Sequence, residues 1–320
     1  MDFKWILPVL FLVLVIFVSG CAEGGDLQSI FSALSEEQEV VVAPKDALVI
    51  EDLRTIPDPP INADSDFTLT FQVVNIGETT EGSKEAKNVE VTVYDSGRCN
   101  IKSPKTAFSE LDIYPGGGSE LAEWDFTAPD NKKLGYMEGK CSIRFVVRYK
   151  YDAHTTSDIS IISTERLNQA SRTGETLTIS PSQVQSRGPI KIRLDFEVTQ
   201  PVDEKLTIPL IIKVYDQGSG MYDKVLPSTP LVIEFPPGLK VLNCTPTNRI
   251  SLTGSSSGGY TATSVSEISL IKGETPPIRC DLEVDEDIND IKTYFIKAKI
   301  LNYEYPLYGE KSVTIIPTYR

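Results

Sequence analysis

Few residues in this 320-residue chain are of a type and spacing that could do chemistry. Gly254-Ser255-Ser256-Ser257-Gly258 fits the G-x-S-x-G pattern of a nucleophile elbow with Ser256 central. That chemistry needs a strand before the serine, a helix after it and a histidine to take the proton. The next residues, Gly259-Tyr260-Thr261-Ala262-Thr263-Ser264-Val265, alternate like a strand, so the pattern is read as a flexible hairpin tip. The single histidine, His154 in Asp152-Ala153-His154, is read as an exposed loop residue, and one histidine removes most zinc and imidazole schemes. The acidic run Asp281 to Asp290 sets Asp285, Asp287 and Asn289 at alternate positions, which suits either an inter-strand Ca2+ site or a solvated acidic loop. It departs from the EF-hand loop, because Asp290 holds the glycine position and Ile296 the bidentate glutamate position. No phosphate loop or dinucleotide fingerprint is present, and no carboxylate pair stands out. The expectation is a chain that is not an enzyme and has no metal and no cofactor.

The chemistry that remains belongs to cysteine. Of five cysteines, four fall as pairs, Cys99 with Cys141 in the first half and Cys244 with Cys280 in the second. Neither pair has C-x-x-C spacing, so the reading is one structural disulfide per half, in an oxidising compartment, against the alternative of four buried thiols. Asn243-Cys244-Thr245 is a glycosylation sequon at Asn243, with access restricted if Cys244 is bonded.

The fifth cysteine, Cys21, closes the N-terminal segment. Trp5 to Val18 is wholly apolar, too short for a bilayer span and of the length of a signal-peptide core. It ends at Val18-Ser19-Gly20-Cys21, which resembles the lipobox of prokaryotic lipoproteins. That resemblance implies a signal peptide over 1–20 and lipidation at Cys21. A plain secretion signal and an uncleaved anchor are the alternatives, and all three place the rest outside the cytoplasm. Residues 21–44 read as a tether, with Leu27, Ile30, Phe31 and Leu34 spaced for a short amphipathic helix.

The elements that carry these residues alternate with period two. Phe67, Leu69, Phe71 and Val73 form one apolar face; Val89, Val91 and Val93, then Ile143, Phe145, Val147 and Tyr149, and Ile190 to Val198 form others. Short strands between Gly, Pro, Asn and Asp turns make the expected class all-β, with two tandem antiparallel sandwiches. The net charge of −14 argues against a nucleic-acid partner. The halves look like copies of one plan. Val93-Tyr94-Asp95-Ser96-Gly97 answers Val214-Tyr215-Asp216-Gln217-Gly218, and Tyr149-Lys150-Tyr151 answers Tyr303-Glu304-Tyr305. Ile161 and Ile315 each stand ten residues after the second tyrosine, so the spacing predicts a closing strand hairpin in each half, with a linker between.

Asp66 to Phe71, Asn75-Ile76-Gly77, Lys87 to Tyr94, and Tyr114-Pro115-Gly116 followed by Trp124 to Pro129 together resemble the CARDB type of Ig-like module and similar domains of archaeal S-layer-type proteins. The second half departs from that pattern, with Lys272-Gly273-Glu274 where Pro-Gly would stand and no tryptophan after it. The stretch 164–175, rich in Ser, Thr, Asn and Gln, reads as a linker, and the resemblance implies a CARDB-like Ig-like domain before it, over 45–163, and a second Ig-like domain after it, over 176–320. It also implies an adhesive, protein-interaction or envelope-structural role on the membrane's outer face, with protein or envelope partners. The alternatives are an accessory, ligand-presenting subunit of a membrane complex or transporter and, third, a surface hydrolase.

Overall fold

The computed structural model describes residues 45–77, 85–103, 107–108 and 111–318. Cys21, the signal segment and the expected helix at Leu27 to Leu34 lie outside them. The strands of the first half are β1 (Leu48–Ile56), β2 (Ile61–Asn62), β3 (Asp66–Asn75), β4 (Ala86–Asp95), β5 (Asn100–Ile101), β6 (Leu111–Ile113), β7 (Gly118–Thr127) and β8 (Gly139–Ile162). Helix α1 (Asn131–Leu134) precedes β8, and α2 (Thr164–Thr173) comes after it. The second half contributes β9 (Gln183–Gln185), β10 (Ile190–Phe196), β11 (Val202–Asp203), β12 (Ile208–Asp216), β13 (Lys224–Val225) and β14 (Leu231–Phe235). Then come β15 (Leu239–Thr245), β16 (Ile250–Ser255), β17 (Gly259–Ser264), β18 (Ile268–Ser269), β19 (Ile278–Val284) and β20 (Ile291–Ile316). The fold is all-β and antiparallel almost throughout, as the alternation predicts.

Each half has its own four-stranded sheet, β1-β3-β7-β5 in the first and β10-β12-β19-β15 in the second. Both pack against one large shared sheet of order β16-β17-β14-β20-β8-β4-β6. Aromatic stacking joins the layers in the first half, where Phe71 of β3 lies 4.3 Å from Phe145 of β8, and Trp124 of the neighbouring β7 stacks beside Phe71 at 5.6 Å within the same sheet.

The expected closing hairpins are not formed. β8 runs straight for 24 residues and β20 for 26, and the two pair antiparallel along their whole lengths. In β8 the buried face keeps odd numbering from Ile143 through Tyr149, Tyr151, Ala153, Thr155 and Ser157 to Ile161, so nothing turns the chain back. In β20 the buried face is even up to Ile300 and odd from Tyr303. The change falls at the one register break, between Ile300 and Tyr303, where a bulge takes up the extra residue. Asn302 adopts φ 53° there, and its N–H donates to Asp152 Oδ1 at 2.5 Å. The early part of β8 pairs with β4 in the first half, and its later part, Thr155 to Ser157, pairs with β9 of the second. Conversely β20 pairs with β14 of the second half through Lys297 to Ile300, and through its last residues with β2 of the first. The chain therefore passes one strand of each half into the other.

The expected linker is also different in form. Its core is α2, with Ser163 Oγ accepting from Arg166 N–H at 3.2 Å and Gly174 closing it at φ 69°. A serine N-cap and a glycine C-cap are ordinary helix punctuation, hidden in a stretch whose composition reads as loop. The described residues fall within one compact unit, 44–320.

Candidate functional site

Both expected disulfides are present. Cys99–Cys141 ties the loop after β4 to the start of β8 with Cα atoms 5.8 Å apart, and Cys244–Cys280 joins directly opposed residues of β15 and β19 at 4.1 Å. Asn243 lies exposed on the edge strand β15 at its bulge, beside the bonded Cys244.

Ser256 sits in the turn between β16 and β17, a strand–turn–strand arrangement rather than an elbow. His154 is not in a loop: it is a mid-strand residue of β8, half-buried and opposite Lys299, with its N–H donating to Ser186 Oγ at 3.0 Å. The acidic run splits, with Asp281 to Val284 in β19 and Asp285 to Asp290 in the loop that leads to β20. Among the described residues no group of three or more His, Cys, Asp or Glu is placed to hold a metal ion.

The structure brings the serine tip and the acidic loop together, which neither motif announced. Ser256 and Ser257, Pro237 and Gly238, and Asp285, Glu286 and Lys292 line one open cleft of ≈ 340 Å³. Three turns build it: Gly238 N–H donates to Ser256 O at 3.0 Å, and Asp285 N–H donates to Gly238 O at 2.9 Å. Gly238 has φ 88°, a conformation that favours glycine, and a Cβ there would displace the Glu286 carboxylate. Glu286 accepts from both Lys292 Nζ and Tyr294 OH, which hold its carboxyl below the usual range, while burial and that carboxylate push the Tyr294 phenol up. Those two donors favour the ionised form of Glu286. The cleft offers hydroxyls, carboxylates and one ammonium for polar contact.

A second cluster lies where the two halves meet. Tyr149, Tyr151, Tyr303 and Tyr305 alternate across the β8/β20 pair and meet edge to face at 5.9–6.5 Å, with Tyr222 5.6 Å from Tyr303. The turn Asp216-Gln217-Gly218 caps the cluster. Asp216 Oδ1 accepts from Gly218 N–H and Tyr305 OH, both at 3.0 Å, and Oδ2 accepts from Tyr222 N–H at 2.9 Å. Asp95 makes the same turn in the first half, accepting from Gly97 N–H at 2.8 Å, so the repeated Tyr-Asp-x-Gly motif is a repeated local structure. Burial pushes the Asp216 carboxyl up despite three donors, and burial pushes Tyr149, Tyr303 and Tyr305 far above the ordinary phenol range. Gly220 N–H donates to Tyr305 OH at 2.9 Å, and a Cβ on Gly220 would overlap the carbonyl oxygen of Pro306. Asp46 accepts from Ser219 Oγ at 2.6 Å, which pins the start of the first half to this loop of the second. The cluster is a joint, in which the contacts of Asp216, Tyr305 and Asp46 tie turn, strand and loop together. The tyrosine and aspartate motifs are visible in the sequence as repeats, but their meeting is not.

No family model matches the chain, and no curated protein matches it. Among solved structures, a point mutant of salicylate 1,2-dioxygenase from Pseudoaminobacter salicylatoxidans is 7% identical, covering 94% of this chain and 95% of that one at a TM-score of 0.14. The infectious bursal disease virus VP2 subviral particle is 10% identical, covering 82% and 79% at a TM-score of 0.12. Superpositions this poor carry no argument about this chain.

Proposed function

We propose that the chain is a lipid-anchored extracytoplasmic protein whose two Ig-like sandwiches serve an adhesive, protein-interaction or envelope-structural role. The observation that carries this reading is the fate of the cysteines. Four of the five close two disulfides, which suits an oxidising compartment, and the fifth, Cys21, stands at the end of a short apolar run in a lipobox-like context. The body supports it by offering long sheet faces and end loops. The partners on this reading are the membrane, through the lipid, and protein or envelope components. The test is Cys21→Ser expressed in the native type of host. Lipid labelling and detergent-phase partitioning are lost in the variant while the body stays folded; persistent labelling overturns the anchor.

A further inference from the structure

We propose that the two halves of the body are each other's binding partners, a strand-exchanged pair held by reciprocal donation of β8 and β20 rather than by the chain that joins them. The exchange is symmetric in its details. Val202 and Asp203 of β11 pair parallel with Ile161 and Ile162 at the end of β8, as Ile61 and Asn62 of β2 pair parallel with Ile315 and Ile316 at the end of β20. Each of these two-residue strands lies between the first and second long strands of its own half and clasps the end of the strand arriving from the other. The donated segments are core, not trim. Val313 and Ile315 are 0% exposed at the first-half end of β20, Tyr303 and Tyr305 are at most 1% exposed at the joint, and Ala153, Ile159, Ile161 and Ile162 of β8 are equally hidden. Without the donated strand each half would face water along an open sheet edge and an uncovered apolar face. The order of strands is also the same on either side of the exchange, β1-β3-β7-β5 answering β10-β12-β19-β15. This is the arrangement of an isologous, strand-swapped dimer written into one chain.

The covalent connection contributes little to this. It leaves α2 at Gly174 and crosses to β9 through residues without regular structure, of which Glu175 and Thr176 are exposed. Both disulfides close inside a half, Cys99 with Cys141 and Cys244 with Cys280, so one backbone cut there leaves no covalent bond between the two parts.

The experiment places a protease site between Glu175 and Thr176 of the full chain and cuts the folded protein. A non-reducing denaturing gel then shows two bands. Under native conditions the fragments stay together at the mass of the intact chain, including after dilution to about 1 μM, and separate only in denaturant. Two folded species that elute apart overturn the proposal. Hydrogen exchange on the uncut chain gives an independent reading if the insertion disturbs folding. Amides of residues 155–162 and 303–315 should be protected as strongly as the sheets they complete. Exchange about 100-fold faster than in those sheets overturns it.

Discussion

In the first half the space between the sheets is filled by aromatic rings, with Phe71 stacked on Trp124 and Phe145 and Phe67 stacked on Phe126 at 5.4 Å. In the second the same space holds aliphatic chains, among them Ile192, Ile208, Leu210, Ile212, Ile233, Ile278 and Leu282, each at most 2% exposed. The staples differ as well. Cys99–Cys141 joins a loop to the central sheet, whereas Cys244–Cys280 joins neighbouring strands of an outer sheet. Yet the outer sheets have the same strand order and the same clasp on the incoming strand. Alternation and turn placement set the architecture, and the identity of the core residues sets only how it is filled.

The largest effects should come from those cores. Phe71→Ala removes a ring that touches two others and should cost about 3–5 kcal/mol, against about 2–5 kcal/mol for Ile212→Ala. Urea denaturation compares them. Because the halves share β8 and β20, both variants should shift one common transition; a shift confined to half of the signal breaks the comparison. Replacing either cystine by a pair of serines should cost about 2–4 kcal/mol, nearly the same for both, since the sequence separations are 42 and 36. A cost near zero for the cross-strand bridge alone would show that pairing of β15 with β19 already holds those strands together.

At the joint, Tyr305→Phe takes away a hydroxyl that donates to Asp216 and accepts from Gly220, and should cost about 1–2 kcal/mol. Tyr308→Phe is the matching control: that ring is 52% exposed, packs edge to face on Tyr94 over the outer face, and its loss of a hydroxyl should stay within about 0.5 kcal/mol. The smallest effect concerns pH. The Asp216 carboxyl is raised above its unfolded value by burial, so the folded state holds that proton more tightly. Its contribution is greatest below the unfolded carboxylate range and weakens as pH rises through the folded value, opposite in sign to Glu286, whose lowered carboxyl loses its contribution on acidification. Melting curves of Asp216→Asn between about pH 3 and 6 should show that slope flattened.

Much of the fold is legible in the sequence. The alternation at Phe67 to Val73, Val89 to Val93 and Ile143 to Tyr149 marks strands β3, β4 and β8, and the spacing of the cysteines marks both bridges. The continuity of β8 is masked because Asp152, His154, Thr155, Thr156 and Ser157 look like turn residues, although the odd-numbered face never breaks from Ile143 to Ile161. Buried small polar side chains are tolerated there because they find partners, as Thr155 Oγ1 does in donating to Ile192 O at 2.7 Å. The bulge at Leu301-Asn302 masks β20 in the same way, by changing the parity of the buried face. The cleft at Ser256 and Glu286 is illegible for another reason: it depends on three turns far apart in the chain meeting at one end, which periodicity does not encode.

The claim that the halves form one cooperative body is tested most directly by calorimetry of the full chain. A shared pair of strands predicts a single unfolding transition with a van't Hoff enthalpy equal to the calorimetric one, roughly 200 kcal/mol near 60 °C for a body of this size. Two resolved transitions, each with about half of that enthalpy and each moved separately by Phe71→Ala or Ile212→Ala, would contradict it.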